Sequence, residues 1–456
     1  MNLETLLSRL ADCVAADRFS IREDHLRVAS RDESSFEGVT PLAIVWPMTA
    51  EEITRTLFVC NESQTPITVR GGGSALEGST IPSSGGIVLD VSRMTKITAY
   101  WPEDLQVQVE PGIIYDDLNT KLKKDGLFFP PSPGGSGNLA TIGGMVSTNA
   151  SGIYSVRYGG TKDYVLAMDI VCADGRQMSL GNRAVKRSSG YNLVDLICGS
   201  EGTLAVITSV TLKLAGLPEA RHQSTFRFAS EKDAAKAVSE IRRYGIDLAA
   251  IEFLDRRVME ALNQLKGYGL DESPSLFLEF HGTSAGVQSA GESAEEICKE
   301  CGGAPFVLPA GQNPWDIRHY VTESIKHRQP GHTIIRNDVA FPISQLPAMV
   351  EYCYEIGHKH NVMIHTFGHV GMGLLHALIL ANPRDESNWR SACYANEEII
   401  RKGVELDGTV SGEHGIGIGH KRLLAQASPD EVAMMRRIKK DWDPLGILNP
   451  GKIFDP

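Results

Sequence analysis

The chain has no excess of basic residues, and this limits its partners. Its 45 Lys and Arg residues against 56 Asp and Glu residues give a formal net charge of −11. Proteins that bind nucleic acid carry clustered Lys and Arg that neutralise phosphates, so this balance argues against such a partner. A small molecule or another protein is the expected partner.

The chain also lacks the segments that would place it across a membrane or outside the cell. No apolar run approaches the roughly 20 residues of a membrane-spanning helix. The first residues (MNLETLLSRLADCVAADRF) have apolar side chains at helical spacing but neither a basic start nor a long apolar core, so we expect no signal peptide. A cytoplasmic protein is expected, with peripheral attachment to a membrane as the alternative.

Cysteines are few and do not form a recognisable framework. Of the eight, only Cys298 and Cys301 have the spacing of a metal or redox pair. They lie in a charged segment (SAEEICKECGG) without a second pair, so we interpret their spacing as incidental. A reducing compartment fits this usage.

Glycine is plentiful and clustered, and the first cluster is the most informative stretch of the chain. A short β-branched strand, Ile67 to Val69, leads into Arg70 and then Gly71-Gly72-Gly73-Ser74. Such a run offers a row of bare N–H groups suited to phosphate, beside a permanent cation. The stretch is neither a P-loop nor G-x-G-x-x-G, and a tight turn is the alternative interpretation.

A second glycine-rich stretch runs from Pro130 to Val165. It has little regular periodicity and many small polar residues, with apolar residues such as Ile142, Met145 and Val146 between them. A segment this long without regular structure is usually functional or disordered. The interleaved apolar residues favour a system of loops that wraps a ligand.

Two histidines and an acidic pair form a candidate metal site. Gly371 and Gly373 separate His369 from His376, which favours a loop feeding a strand on which His376 and Leu378 share a face. Farther on, Glu413 and His414 stand between glycines. Two His and one Glu can hold a catalytic divalent metal, although core or surface histidines are the alternative because the chain has thirteen.

Several motifs resemble one known family over nearly the whole chain. Four of them resemble FAD-linked oxidases of the vanillyl-alcohol-oxidase type: RGGGSALEGS, ATIGGMVSTNASG, YGGTKDYVLAMDIVCADG and GSEGTLAVIT. Three more narrow the resemblance to the branch of D-lactate dehydrogenases and glycolate oxidase subunits: HVGMGLLH, SGEHGIGIGHKR and DPLGILNPGKIF. The resemblance implies an α+β fold with a two-subdomain FAD-binding domain (1–214), an α+β cap domain with an antiparallel sheet that takes the substrate (215–408), and a C-terminal segment returning to the FAD domain (409–456).

The resemblance also implies a flavin site. The pyrophosphate would be held by Arg70, Gly71, Gly72, Gly73, Ser74 and Gly78. The ribityl chain and isoalloxazine would be lined by Thr141, Gly143, Gly144, Thr148, Asn149, Ala150 and Gly152, and the adenine and ribose side by Glu201 and Ile207. Many members attach the flavin to a His in the first glycine stretch. No His lies between Pro66 and Ser79, so non-covalent FAD is expected.

By the same resemblance, His369, His376 and Glu413 match the metal ligands of metal-dependent members, and His414 matches their proposed base. Zn²⁺ is the expected metal, with Mn²⁺ or Fe²⁺ as alternatives. A neutral His of pKa about 6.5 is a poor base for an alcohol, whereas a Zn²⁺-type ion lowers bound water to about 7. Met372 and Leu374 replace the Asp and Asn usual in the family, which puts metal identity and dependence in doubt.

The resemblance assigns the substrate residues as well. Arg318 matches the carboxylate-binding position, with Thr322 one turn later on an expected helix. Arg336 matches a second basic position that is often Lys, with a solvated surface arginine as the alternative. Leu378 stands where dicarboxylate-specific relatives have Asn, which favours a small D-2-hydroxy acid such as D-lactate or glycolate.

The implied activity is oxidation of this acid to the 2-oxo acid, with hydride transfer to FAD. The alternatives are a D-2-hydroxyglutarate dehydrogenase, a catalytically weak FAD-binding subunit of a multi-subunit oxidase, and a metal hydrolase whose glycine loops bind another ligand. The sequence does not identify the electron acceptor, which could be a quinone, a cytochrome, an electron-transfer flavoprotein or oxygen. A homodimer and a multi-subunit complex both stay open.

Overall fold

The computed structural model describes residues 1–455 of the chain. Its helices are α1 (Leu3–Ala11), α2 (Glu23–Ala29), α3 (Ala50–Ser63), α4 (Tyr115–Leu122), α5 (Ile142–Thr148), α6 (Ser155–Tyr158), α7 (Leu193–Ile197), α8 (Glu231–Arg243), α9 (Arg256–Lys266), α10 (Ser284–Glu300), α11 (Pro314–His319), α12 (Val321–His327), α13 (Leu346–His360), α14 (Glu386–Glu405), α15 (Lys421–Ala427) and α16 (Pro429–Trp442). Among residues 1–455, no helix is both long and apolar enough to cross a membrane.

The strands are short and fall into four sheets. They are β1 (Phe19–Ser20), β2 (Ala43–Val45), β3 (Ile67–Arg70), β4 (Ile87–Asp90), β5 (Ile97–Trp101), β6 (Gln106–Val109), β7 (Leu127–Phe128), β8 (Val165–Cys172), β9 (Gln177–Gly181), β10 (Ala205–Lys213), β11 (Ala215–Gly216), β12 (Ala220–Arg227), β13 (Ala250–Leu254), β14 (Ser275–Gly282), β15 (Ala304–Pro305), β16 (Thr333–Ala340), β17 (Met363–Gly368) and β18 (Leu374–Ala381).

The chain forms two compact units. The first unit comprises residues 1–151 and 160–217 and the chain from Glu413 onwards, and the second comprises 152–159 and 218–412. The short segment 152–159 belongs to the second unit because Tyr158 hydrogen-bonds His281 there (2.9 Å) and Tyr154 packs against the same ring. The α+β class with an antiparallel cap sheet, expected from the motifs, is confirmed.

The first unit contains two main sheets with separate cores. One sheet has the order β1-β2-β4-β3, in which β3 and β4 are parallel, and the other is antiparallel with the order β5-β6-β10-β8-β9. Apolar residues such as Ile53, Ile67 and Leu89 fill the core of the first sheet, and Val107, Ile142 and Val210 lie in that of the second. The glycine run follows the carboxyl end of β3, which is held in this sheet by its pairing with β4.

The second unit is built on one seven-stranded sheet with the order β15-β12-β14-β13-β17-β18-β16. All its strand pairs are antiparallel. Helices such as α8 bury an alanine-rich stripe, including Ala234 and Ala235, after capping by Ser230. Burial on both faces explains why β18, Leu374–Ala381, has no exposed residue.

The second glycine-rich stretch is more regular than predicted. It contains α5, which begins where Thr141 accepts a hydrogen bond from the Gly144 N–H (3.3 Å) and ends at Asn149 in the left-handed conformation. The prediction of loops alone was wrong here because Ile142, Met145 and Val146 bury one side of a single short helix. Small residues in this helix let other backbone segments pack closely against it. A Cβ on Gly143, for example, would collide with Pro111.

Candidate active site

The first glycine stretch forms a cradle of main-chain donors. The N–H groups of residues 71–76 donate no hydrogen bond to any residue among 1–455. The same six residues line a single cavity of the first unit. A concave row of N–H groups of this kind suits the oxygens of a pyrophosphate, and it is the observation in this structure that fits FAD.

The cavity is lined by residues of both glycine-rich stretches. It contains about 1150 Å³ of space not filled by atoms, part of it open to solvent. Its lining includes most of the predicted flavin residues, namely Gly71, Gly72, Gly73, Ser74, Thr141, Gly143, Gly144, Thr148, Ala150, Glu201 and Ile207.

Four predicted flavin residues are not part of this lining, and three of them have other roles. Arg70 donates to the Arg31 carbonyl oxygen (2.6 Å), and burial lowers the pKa of its guanidinium. Gly78 has a φ of +76° and packs near Ile418 and Phe36. The Asn149 side chain accepts from the Lys162 N–H (3.0 Å), so it fixes the chain after α5. Gly152 lies in the second unit.

The chain that returns to the first unit brings Glu413 and His414 into the lining of the same cavity. Glu413 accepts a hydrogen bond from the Ser151 hydroxyl (2.9 Å), and its carboxylate lies 3.8 Å from the His414 ring. Buried Glu201 holds this return segment by accepting from the N–H groups of Ile416 (2.7 Å) and Gly417 (2.9 Å). Burial raises the pKa of Glu201, while these bonds and one from Ser79 oppose the shift.

In the second unit, the predicted metal and substrate residues share one face of the sheet. A turn at Val370–Met372 joins β17 to β18, as the glycines predicted. On β18, His376 and Leu378 are two residues apart and therefore point to the same face. Leu378 lies opposite Arg336 on β16, and His376 lies opposite Asp338. Arg336 is half-buried, unlike a fully solvated arginine.

The two histidines are close together and buried. His369 is 3% exposed and His376 is 5% exposed. Their ring centroids are 5.3 Å apart, with the rings nearly perpendicular. His369 Nδ1 lies 2.6 Å from an oxygen of Glu252, a residue on β13. The Nδ1 nitrogen therefore faces Glu252, and a metal would meet the ring at Nε2.

Glu252 also binds Arg318 of α11. The Arg318 Nε donates to the second oxygen of Glu252 (2.6 Å), and the guanidinium carbon lies 4.6 Å from the centre of the Phe367 ring. Burial acts to raise the pKa of Glu252, but His369 and Arg318 outweigh it and hold that pKa below its ordinary value. The carboxylate is therefore ionised between a histidine and an arginine.

Arg318 and Thr322 are on two helices rather than one. α11 ends at His319 and α12 begins at Val321, with Tyr320 between them. Arg318 is buried and Thr322 half-buried. The prediction of one continuous helix was wrong, since the sequence contains no Gly or Pro at the break to signal it.

The sequence analysis missed Glu252 and a second buried glutamate, Glu279 on β14. Both are 0% exposed, and each interrupts a run of apolar residues, AIEFL and SLFLEFHG respectively. Burying an unpaired carboxylate is costly, so a lone Glu in such a strand indicates a partner elsewhere in the fold. That signal was present in the sequence, although it could not identify the partners.

Comparison with known families matches the chain to two models. The model "FAD linked oxidases, C-terminal domain" matches residues 217–453, which is about half of the chain. The model "FAD binding domain" matches residues 41–181. The first glycine stretch and α5 both lie within the second match.

Curated relatives cover nearly the whole chain. A mitochondrial D-lactate dehydrogenase [cytochrome] of Arabidopsis thaliana is 34% identical over 99% of this chain and 80% of its own length. The glycolate oxidase subunit GlcD of Bacillus subtilis (strain 168) is 34% identical over 91% of this chain and 89% of its own. A D-lactate dehydrogenase of Anaerostipes hadrus is 30% identical over 96% and 95%.

Solved structures share the fold at low identity. p-Cresol methylhydroxylase with bound substrate superposes with a TM-score of 0.84 at 16% identity, covering 99% of this chain and 97% of that one. Alkyldihydroxyacetonephosphate synthase gives a TM-score of 0.79 at 19% identity, covering 99% and 85%. At these identities the likeness concerns the fold.

Proposed function

The chain belongs to the family of FAD-linked oxidases, as its motifs predicted, and from that membership we propose that it oxidises a small D-2-hydroxy acid to the 2-oxo acid. D-Lactate and glycolate are the proposed substrates, because relatives named D-lactate dehydrogenase and glycolate oxidase subunit cover nearly the whole chain. Bound FAD supplies the acceptor for the hydride from the substrate Cα. Family membership removes the metal-hydrolase alternative.

The observation that carries the proposal is the set of donors on Arg318. Its Nε is occupied by Glu252, and its four Nη–H donors make no hydrogen bond to any residue among 1–455. A guanidinium that is 10% exposed and fixed against Phe367 has lost most of its hydration. Such a group suits a planar carboxylate, which it can bind through two parallel hydrogen bonds.

The size of the substrate follows from Leu378. It is 2% exposed and lies beside Arg336 across the β16–β18 pair. An apolar side chain there gives no hydrogen bond to a second, distal carboxylate, and desolvating such a carboxylate against it is unfavourable. The proposal therefore favours lactate or glycolate over D-2-hydroxyglutarate.

We extend the proposal to a divalent metal held by His369, His376 and Glu413. Two imidazoles and a carboxylate are a donor set that fits Zn²⁺, with Mn²⁺ or Fe²⁺ as alternatives. The close buried histidine pair supports this, as does the Glu252 contact, because metal-binding histidines usually donate their other N–H to a carboxylate. Such an ion would lower the pKa of a bound hydroxyl.

In this scheme each residue of the chain has a separate task. Arg318 binds and orients the substrate carboxylate, with Thr322 and Arg336 as further contacts. His414 accepts the hydroxyl proton and is a base rather than a ligand. Residues 71–76 bind the pyrophosphate of a non-covalent FAD, since the stretch from Pro66 to Ser79 contains no His.

We propose that the chain assembles with further subunits and passes its electrons to a separate acceptor, without naming that acceptor. One relative is named as a subunit of glycolate oxidase, which supports assembly with further subunits, and another bears "cytochrome" in its name. A weakly catalytic subunit is the alternative function. The cytoplasmic location stays a prediction, because relatives include a protein named mitochondrial.

Anaerobic reduction of the purified flavoprotein tests the proposed function. D-Lactate and glycolate should bleach the yellow flavin absorbance, with L-lactate and D-2-hydroxyglutarate slower. A clear preference for D-2-hydroxyglutarate would reject the substrate class. No bleaching by any of these acids would favour the weakly catalytic subunit.

A further inference from the structure

Glu252 is a charged residue in a place where charge is costly. It is the only ionisable residue of β13, AIEFL, and all five residues of this strand are buried. Its carboxylate is 0% exposed, and each oxygen makes one contact of 2.6 Å: Oε1 with Nδ1 of His369 and Oε2 with Nε of Arg318. One carboxylate is therefore shared between two residues that have separate tasks in the proposed reaction.

The contact with His369 fixes the ring. A carboxylate accepts but does not donate, so the Nδ1 of His369 carries the proton and donates it to Glu252. The Nε2 of the neutral ring then holds a lone pair and can ligate a metal. Without this acceptor, the ring could rotate or adopt the other tautomer, in which Nε2 is protonated.

The contact with Arg318 fixes the guanidinium in the same way. With Nε bound to Glu252 and the Phe367 ring 4.6 Å below the guanidinium carbon, the plane of the group is restrained on one edge and one face. Its remaining Nη–H donors are held in one orientation before a carboxylate binds. Preorganisation of this kind lowers the ordering cost of binding.

We propose that Glu252 is a positioning residue that orients the metal ligand His369 and the carboxylate-binding Arg318 at the same time. This inference rests on the proposed function. Its consequence is that one substitution should impair two measurable properties, metal affinity and substrate affinity. If Glu252 served only to stabilise the sheet, replacing it would change neither affinity in the folded enzyme.

Glu279 offers a matched control within the same sheet. It is also 0% exposed, and it lies on the same sheet face, because Ala250 pairs with Glu279 and Glu252 pairs with Phe277 across β13 and β14. It also holds α11, through the indole N–H of Trp315, and it contacts Gln223 (2.6 Å) and His281 (2.6 Å). None of these contacts involves His369 or Arg318.

The experiment compares Glu252→Gln, Glu252→Asp and Glu279→Gln in the purified flavoprotein. His369 and Arg318 lie at different oxygens of Glu252, and a glutamine replaces one of these oxygens with an NH₂ donor, so one of the two contacts loses its acceptor. Glu252→Gln should weaken Zn²⁺ binding by about 10- to 100-fold, measured by metal titration after chelation, and raise KM for D-lactate. Flavin content should stay at the wild-type value. Glu252→Asp, which keeps the charge, should recover part of both losses.

Each result decides the inference. Normal Zn²⁺ affinity and KM in Glu252→Gln, or equal losses in Glu279→Gln, would overturn it. If Glu252→Gln does not fold, the same two measurements on Glu252→Asp decide, because a shortened carboxylate cannot keep both contacts at 2.6 Å. A wild type that holds no metal but oxidises D-lactate would refute the proposed metal instead, and the KM comparison would then test the Arg318 half of the inference.

Discussion

At the scale of single residues, the proposed reaction assigns different tasks to neighbouring side chains. His369 and His376 are buried with their rings 5.3 Å apart, an arrangement that suits two ligands of one ion. His414 follows Glu413 directly, and its side chain is 11% exposed in the cavity lined by the glycine stretches. A base must exchange its proton with solvent after each turnover, and this partial exposure gives His414 the access that such exchange requires.

This division of tasks predicts different losses for two alanine variants. His376→Ala should lose both the metal and turnover, because it removes a ligand. His414→Ala should keep the metal and lose about 10²- to 10⁴-fold in turnover, the usual contribution of a general base. Metal analysis and anaerobic flavin reduction measure the two properties. Flavin content should be normal in both variants, because neither changes residues 71–76.

The opposite pattern would show that the roles are exchanged. A His414→Ala protein without metal and a His376→Ala protein with metal would reject the assignment of ligand and base. Wild type that turns over without metal would mean that Met372 and Leu374 mark a real departure from metal dependence, with His414 acting unaided. Met372 is 47% exposed and Leu374 is 4% exposed.

At the scale of elements, the predictable parts are those specified by local sequence. Periodic apolar residues favour helices at α8, α9, α10 and α13, and Asp174-Gly175 favours the hairpin of β8 and β9. The helix α5 was missed because its apolar residues are outnumbered by small ones that serve close packing. The strand order of the seven-stranded sheet was not predictable, since it depends on pairs far apart in the chain, such as β13 with β17.

The same distinction separates the parts of the candidate site. The glycine run, the histidine pair and the common face of His376 and Leu378 could be predicted, because motif and two-residue periodicity are local properties. The bridge from His369 through Glu252 to Arg318 could not, because its three residues come from β13, the turn after β17 and α11. Their contact depends on the tertiary pairing of the strands.

The close packing around Gly72 predicts that adding one methyl group there weakens FAD binding. A Cβ on Gly72 would collide with the Leu139 carbonyl oxygen, so Gly72→Ala must displace the backbone that carries the free N–H groups. Overpacking of this kind costs about 1–3 kcal/mol. If FAD binding carries this cost, the affinity for FAD falls about 5- to 140-fold. Flavin released by acid precipitation and measured in the supernatant gives the occupancy.

Gly216→Ala is the control for this variant. A Cβ there meets no atom within 4 Å, and this glycine is not among those with a positive φ, so its flavin content should match wild type. Full occupancy in Gly72→Ala would show that the N–H row does not bind the cofactor. Yellow colour retained in the washed pellet of wild type would instead contradict non-covalent attachment.

At the scale of the whole molecule, two buried groups in the second unit give stability opposite dependences on pH. Burial and the nearby Arg328 and Arg257 lower the pKa of His365 to about 3. Burial raises the pKa of Asp255 to about 6, although Thr366 and the Val258 N–H donate hydrogen bonds to it. Both groups titrate near ordinary values of 6.5 and 3.9 once the chain unfolds.

The signs follow from proton binding in the two states. Between about pH 3 and 6.5, the unfolded chain binds a proton at His365 that the folded chain does not, so this group makes stability fall as pH falls. Between about pH 4 and 6, the folded chain retains a proton at Asp255 that the unfolded chain has lost, so this group makes stability fall as pH rises. The two effects oppose each other in the shared window.

Replacing each group should therefore tilt the stability curve in opposite directions. Relative to wild type, His365→Leu should gain stability as pH falls from about 6.5 to 4, approaching 1.4 kcal/mol per pH unit at most. As pH falls from about 6 to 4, the free energy of unfolding of Asp255→Asn should fall relative to that of wild type. Wild type is stabilised in this range by the proton on Asp255, which the variant lacks. Urea unfolding of both variants and wild type at several pH values measures these slopes. A loss of stability from altered packing is the same at every pH, so it lowers the plot of stability against pH without changing its slope. Parallel curves for His365→Leu and wild type would show that the ring takes up its proton at the same pH in the folded and unfolded chains, and that burial does not lower its pKa.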